Sequence, residues 1–141
     1  MTIEEVRAKF PTAEIGDGAK ISYGAKISYG AKIGYGAQIG DGAKIGYGAQ
    51  IGDGAQIGDY AQIGDYAQIG YYAQIGYGAQ IGDGAKIGYY AKIGDYAQIG
   101  AQMRVTRFIS FSKWYTYDAG LFQDDRTGLW HLQLGCYTRP M

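Results

Sequence analysis

The sequence predicts an all-β fold, a parallel β-helix wound from six-residue units. Three observations predict it. Isoleucine recurs every six residues without a gap from Ile15 to Ile99. Alanine keeps the same period two residues earlier, from Ala13 to Ala97. Gly or Ser follows every one of these isoleucines, as at Gly16, Ser22 and Ser28. Fixed-period self-similarity of this kind marks a solenoid, in which each unit buries its apolar face only against its neighbours.

The unit reads Ala-x-Ile-Gly-y-z. The x position holds Lys or Gln apart from Glu14, y holds Asp or Tyr apart from Ala101, and z holds Gly or Tyr apart from Gln102. Side chains alternate along a strand, so in Ala-x-Ile the Ala and Ile point inward and x points out. Gly-y-z then supplies a turn. Six is not a helical period, and 25 glycines rule out a long α-helix. Collagen needs Gly at every third residue and abundant Pro; here Gly16 and Gly18 alternate, and the chain has two prolines. An apolar period that never drifts also argues against the disorder that a Gly-rich, low-complexity tract otherwise suggests.

Ile15-Gly16-Asp17-Gly18-Ala19-Lys20 resembles the hexapeptide repeat, whose motif is an aliphatic residue, Gly, two free positions, a small residue and one more free position. Fifteen such units cover residues 13–102. The resemblance implies a triangular coil of three hexads, eighteen residues per turn, wound left-handed. Five coils of parallel strands about 4.8 Å apart would span roughly 24 Å. Isoleucines one turn apart would then stack, and Ile15, Ile33, Ile51, Ile69 and Ile87 form one of three structural core columns. Full burial of each is worth about 1.5–3 kcal/mol before entropy is subtracted. Outward glutamines such as Gln50 and Gln68, or Gln62, Gln80 and Gln98, fall into amide ladders. The z position of the repeat wants a left-handed backbone, which suits Gly. Tyr60, Tyr66, Tyr72, Tyr90 and Tyr96 stand there instead, at a cost of roughly 1 kcal/mol each.

Both ends of such a tube expose strand edges that must be covered. Residues 1–12 read as an N-terminal capping helix. Thr2-Ile3-Glu4-Glu5 is a capping-box pattern, Ile3, Val6 and Phe10 share one face, and Pro11 stops the helix. Residues 13–102 are the β-helix, and 103–141 the last coil and a β-rich C-terminal cap. Val105, Phe111 and Tyr117 continue the Ile frame, and Met103, Ile109 and Tyr115 the Ala frame, which predicts a widened last coil. Asp124 to Gly128 reads as a hairpin turn, and Leu129 to Cys136 as a strand with Trp130, Leu132, Leu134 and Cys136 on its apolar side. The tail segments Lys113-Trp114-Tyr115 and Leu134-Gly135-Cys136-Tyr137 resemble the tails of uncharacterised bacterial and phage hexapeptide-repeat proteins.

Formal net charge is zero. The lid and repeat carry eight basic and ten acidic residues, the cap five and three. Nucleic-acid binding needs a basic stripe that neither part supplies. No apolar run approaches a membrane span and no signal peptide precedes the repeat, which points to a cytoplasmic or virion-associated protein. The single Cys136 excludes an intrachain disulfide and reads as a buried thiol.

The resemblance implies acyltransferases and zinc carbonic anhydrases among the relatives, with histidines on the coils as bases or metal ligands. No histidine occurs between Ala13 and Gln102, and His131 lies in the cap. A three-histidine zinc site within one chain is therefore impossible, and no catalytic residue, metal site or cofactor is predicted. Asp53, Asp59, Asp65 and Asp83 read as solvent-facing turn residues. Stacking by eighteen places Tyr71 and Tyr89 in one column and Tyr72 and Tyr90 beside it, a candidate platform for a sugar or a partner chain. The expected function is a non-catalytic structural or interaction module, self-associating as a homotrimer, as the resemblance implies. The alternatives are an acyltransferase-like enzyme and an ice- or carbohydrate-binding surface. Flat threonine arrays, which ice-binding proteins of this fold resemble, are absent from the regular repeat.

Overall fold

A computed structural model describes the backbone of residues 2–114, 117–124 and 130–134, and the side chains of 2–105. One short helix precedes a long parallel β-helix. Each hexad contributes a two-residue strand made of x and Ile, from β1 (Glu14–Ile15) to β15 (Gln98–Ile99). Every strand pairs in parallel with the one eighteen residues away: Ile15 with Ile33, Ile21 with Ile39, Ile27 with Ile45. Three hexads therefore make one turn, and their strands form three sheets, one per face of the prism.

Backbone donors explain why so short a strand suffices. In a representative hexad, the Gln56 amide donates to the Ala73 carbonyl (2.8 Å) and Gly58 to Ile75 (2.7 Å), both one coil up. At the turn the direction reverses, and the Tyr60 amide donates to the Asp41 carbonyl one coil down (2.8 Å). The Ala61 amide closes the corner on the Gly58 carbonyl (3.3 Å). Each coil is thus hydrogen-bonded through strands and corners alike, as backbone shut away from water requires.

The interior is Ile and Ala alone along most of the tube. Ala31 to Ala85 are fully shut off from solvent, and the stacked isoleucines of the middle coils are all buried. Alanine has the only side chain beyond glycine small enough to turn inward beside a bulky neighbour at each corner. Ile27, on the third face of the first coil, is only partly buried, because the covering helix lies mainly over the first face.

That helix, α1 (Ile3–Lys9), starts with the predicted capping box: the Thr2 hydroxyl accepts from the Glu5 amide (3.2 Å) and the Glu5 carboxylate from the Thr2 amide (2.7 Å). Val6 is buried against the first coil, with Ile3 and Phe10 partly buried beside it. Sequence reasoning missed Arg7. Its guanidinium donates twice to the Ile15 carbonyl (2.8 and 3.2 Å) and pairs with Asp17 (2.8 Å), closing an open edge of the first coil with charged donors. Lys32 and Glu14, neighbours on one face, form a second ion pair at 3.1 Å.

At the other end the six-residue frame stops at Val105, rather than running on through Phe111 and Tyr117. Arg104 and Val105 continue the first face by pairing with Lys86 and Ile87. The chain then stays extended as β16 (Arg104–Trp114), which folds back on β17 (Tyr117–Asp124) and then β18 (Trp130–Leu134) as an antiparallel meander. The widened last coil does not form. The Gly or Ser that opens every corner is missing after Val105, where Thr106 stands, and a β-branched residue favours continued strand. The cap is β-rich, as expected. The expected hairpin turn after Asp124 falls on residues 125–128, which with Tyr115 and Cys136 lie outside the described residues, as does the side chain of His131.

The core columns make a direct prediction. Ile57→Ala, in the middle of its column, should lower unfolding free energy by about 2–5 kcal/mol. Ile27→Ala, at the partly exposed end, should cost clearly less. Urea denaturation of the two variants checks the ranking.

Candidate functional site

The three corners carry nearly all of the chemistry on the coils. Every tyrosine of the repeat region is exposed, and all stand at y or z. On the first corner Tyr71 stacks on Tyr89, with centroids 5.0 Å apart and planes 8° apart, and Tyr72 stacks on Tyr90 at 5.3 Å and 13°. The structure therefore brings all four sequence-selected tyrosines onto adjacent coils of one corner, as two parallel stacks. Beside them runs a shallow open groove along the first face, between Gln50, Gln68 and Lys86 on one side and Tyr35, Tyr71 and Tyr89 on the other.

Two further clusters escaped the sequence reading. On the second corner Tyr77 meets the edges of both Tyr60 (5.6 Å) and Tyr96 (5.3 Å). On the third, Tyr29 stacks on Tyr47 (5.6 Å), which meets Tyr66 edge-on (5.4 Å). The signal was present, since pairs such as Tyr29 and Tyr47 are eighteen residues apart. The diagonal y-to-z pairs, seventeen or nineteen apart, need the corner geometry before they can be seen.

The z tyrosines do sit in the left-handed region, with φ of 57–59°. What accommodates them is the glycine one coil below. A methyl group at Gly48 would stand 2.8 Å from the Tyr66 ring, and one at Gly42 equally close to Tyr60. Tyr72 lies in the same way over Gly54, and Tyr96 over Gly78. These four rings use the bare glycine backbone as their seat, which offsets the conformational strain of the residue that bears each, while Tyr90 rests on the Tyr72 ring instead.

The aspartates at y also differ from expectation. They are exposed turn residues, but their carboxylates act across coils. Asp53 Oδ1 accepts from the Tyr35 amide, Asp59 from Asp41, Asp65 from Tyr47, Asp83 from Asp65, and Asp95 from Tyr77, all at 2.7–2.8 Å. In these five cases the y amide is met by a side-chain acceptor eighteen residues on rather than by a backbone carbonyl. A local turn preference does not explain that geometry; the coil repeat does.

Two phenols are perturbed. Desolvation by packed neighbours, the Tyr47 phenol, a hydrogen bond with it and the Asp65 carboxylate all push Tyr66 above the ordinary tyrosine value. Tyr77 is raised in the same way by desolvation, Tyr96 and Asp59. Among the described residues no group of three His, Cys, Asp or Glu is placed to hold a metal ion, and no helix is long and apolar enough to cross a membrane.

A tube of six-residue units with an Ile-Ala interior defines the class, a hexapeptide-repeat β-solenoid. The bacterial transferase hexapeptide family (six repeats) matches residues 36–70 and 60–95, and this match together with the β-solenoid supports a hexapeptide-repeat family. Among solved structures it resembles the acetyltransferase domain of PglB from Neisseria gonorrhoeae, at 21% identity and a TM-score of 0.64, over 74% of this chain and 60% of that one. It also resembles a perosamine N-acetyltransferase from Caulobacter crescentus in complex with CoA and GDP-perosamine, at 22% identity and a TM-score of 0.60, over 68% of this chain and 48% of that one. The chain thus spans between about half and three fifths of these structures. No curated protein matches its sequence.

Two predictions follow from the corners. Tyr72→Ala keeps the left-handed strain and loses the ring, whereas Tyr72→Gly loses both. The Gly variant should therefore be more stable than the Ala variant by about 1 kcal/mol, measured by chemical denaturation. The raised phenols set an alkaline limit. An unfolded tyrosine ionises near pH 10, before the folded Tyr66 and Tyr77 do. Between those points the native state holds more protons, so stability falls as pH rises. Tyr66→Phe with Tyr77→Phe should flatten that fall in melting curves taken at increasing alkaline pH.

Proposed function

We propose that this chain is a non-catalytic structural or interaction module that associates with itself, as a homotrimer. The observation carrying the reading is where the hexads differ. Inward positions are Ala and Ile throughout, while the variation, apart from Ser22 and Ser28 after their isoleucines, falls on the outward x, y and z positions, chosen almost wholly from Lys, Gln, Asp, Gly and Tyr. Tyr with small and polar neighbours is the composition of adaptable protein-binding surfaces, because tyrosine offers large contact area at low entropic cost. The rigid tube presents these residues at fixed spacing. The uninterrupted coils leave flat faces free to pack side by side, which supports the trimer.

The corner of Tyr71, Tyr72, Tyr89 and Tyr90 is the surface we assign to partner contact. One face of each ring is taken by its stacked partner, so edges and hydroxyls meet an incoming surface. This suits a protein better than a sugar, which stacks on open ring faces.

Acyl transfer from a thioester is the second reading, favoured by the fold shared with the two acetyltransferases. At 21–22% identity the likeness extends to the fold alone. General-base chemistry favours a group with a pKa near the working pH. The coils carry no histidine, and the two perturbed groups on them are phenols moved further from neutrality.

Native mass spectrometry combined with an acetyl-CoA hydrolysis assay separates the readings. A trimer without thioesterase activity is the expected result. Turnover of acetyl-CoA that depends on coil residues would replace the scaffold with the enzyme. Tyr72→Gly with Tyr90→Gly should leave the fold intact and weaken partner capture or assembly; unchanged assembly and capture would remove the corner from the account.

A further inference from the structure

The first corner differs from the other two in holding two parallel tyrosine stacks side by side, all four rings reachable from solvent. Tyr71 and Tyr72 are 48% and 53% exposed, Tyr89 and Tyr90 66% and 69%. Within each stack the residues are eighteen apart, so coil pairing holds the two rings nearly parallel, at 5.0 and 5.3 Å between centroids and 8° and 13° between planes. The rings are tied to a rigid backbone through their own amides, with Tyr72 N bonded to the Asp53 carbonyl and Tyr90 N to the Tyr71 carbonyl (both 2.9 Å). Their side chains, by contrast, are about half or more exposed to solvent.

We propose that this corner is an oxidative modification site, at which a one-electron oxidant joins Tyr71 to Tyr89, or Tyr72 to Tyr90, as dityrosine and so bolts the fourth coil to the fifth. The chemistry needs an oxidant of the haem-peroxidase class supplied with hydrogen peroxide. Each phenol gives up one electron and one proton, leaving a phenoxyl radical. The two electrons and two protons reduce one hydrogen peroxide to two waters. The radicals couple through the ring carbons beside their oxygens, forming one C–C bond. The two hydrogens on those carbons then move to the oxygens and restore both phenols. Coupling within the chain prevails in dilute solution because the partner ring is held at an effective concentration of millimolar or higher. The link closes a loop of about eighteen residues across two coils, and such a closure stabilises a fold by restricting its unfolded chain. The inference stands apart from the functional reading above, since it needs neither a trimer nor a partner.

Trypsin makes the test specific. Cleavage after Lys44, Lys86 and Lys92 separates residues 45–86, which hold Tyr71 and Tyr72, from the short peptide 87–92, which holds Tyr89 and Tyr90, and from 93–104, which holds Tyr96. The whole protein at low concentration is treated with horseradish peroxidase and hydrogen peroxide, run on a denaturing gel, and the monomer band digested and analysed by mass spectrometry. The expected result is peptide 87–92 joined to 45–86 with the loss of two hydrogens, together with dityrosine fluorescence in the monomer band. Tyr89→Phe with Tyr90→Phe keeps the stacked rings but removes the phenols, and should abolish that product. The proposal is overturned if 87–92 is recovered unjoined from the oxidised monomer, or if its links run only between chains. A yield of 45–86 joined to 93–104 equal to that of 87–92 also overturns it, because the edge-on Tyr77 and Tyr96 pair would then couple as readily as the stacks.

Discussion

Everything in this protein depends on isoleucines repeating every eighteen residues along three lines inside a narrow tube. A strand of two residues has almost no stability of its own. It persists here because each Ile in the middle of a column lies on another Ile above and below, and because the strand amides and the z amides of the corners find a carbonyl in the neighbouring coil. Once the columns are in register the rest is constrained. Alanine must turn inward where a larger side chain would not fit. The residue after Ile must be small, because a Cβ there crowds the backbone of the next coil, as one built at Gly16 would crowd Gly34 and Tyr35. The y and z positions must project outward.

That division explains how the molecule tolerates features that look unfavourable one residue at a time. A tyrosine in the left-handed region is strained, yet its ring rests on a glycine one coil down that has no side chain to oppose it. An aspartate on an exposed turn has little to do locally, yet it completes the hydrogen bonding of an amide eighteen residues earlier. In both cases the compensation is distant in sequence and adjacent in space. The ends need separate solutions because no further coil is there to compensate them. Arg7 supplies charged donors to an open carbonyl at one end, and an antiparallel meander extends the first sheet at the other.

The tube was legible because its period is strict: strands, core columns and eighteen-residue pairing all follow from Ile and Ala positions together with the repeat motif. The capping box at Thr2 and Glu5 was legible because it is local. What escaped was either diagonal or long-range. Tyr47 against Tyr66 and Tyr77 against Tyr96 join different positions of the hexad across coils, and no one-dimensional pattern marks them. The role of Asp65 toward the Tyr47 amide requires knowing which side chain the neighbouring coil sets against that amide. The expected extra coil through Phe111 and Tyr117 failed because apolar spacing persisted after the corner glycine had gone, and without that glycine the chain runs straight on. The candidate tyrosine corner was placed correctly in space by stacking arithmetic, while its role rests on function that spacing alone does not specify.

The central claim is that residues eighteen apart are lateral neighbours and residues twelve apart are not. Nitroxide labels read this directly by electron paramagnetic resonance in a Cys136→Ser background. Labels at Gln56→Cys and Gln74→Cys, paired across the second face, should broaden each other's spectra strongly at a separation of about 5 Å. Labels at Gln56→Cys and Gln68→Cys stand on different faces and should give the sum of the two single-label spectra. Strong broadening in the second pair, or none in the first, would contradict the three-hexad turn and the isoleucine columns built on it.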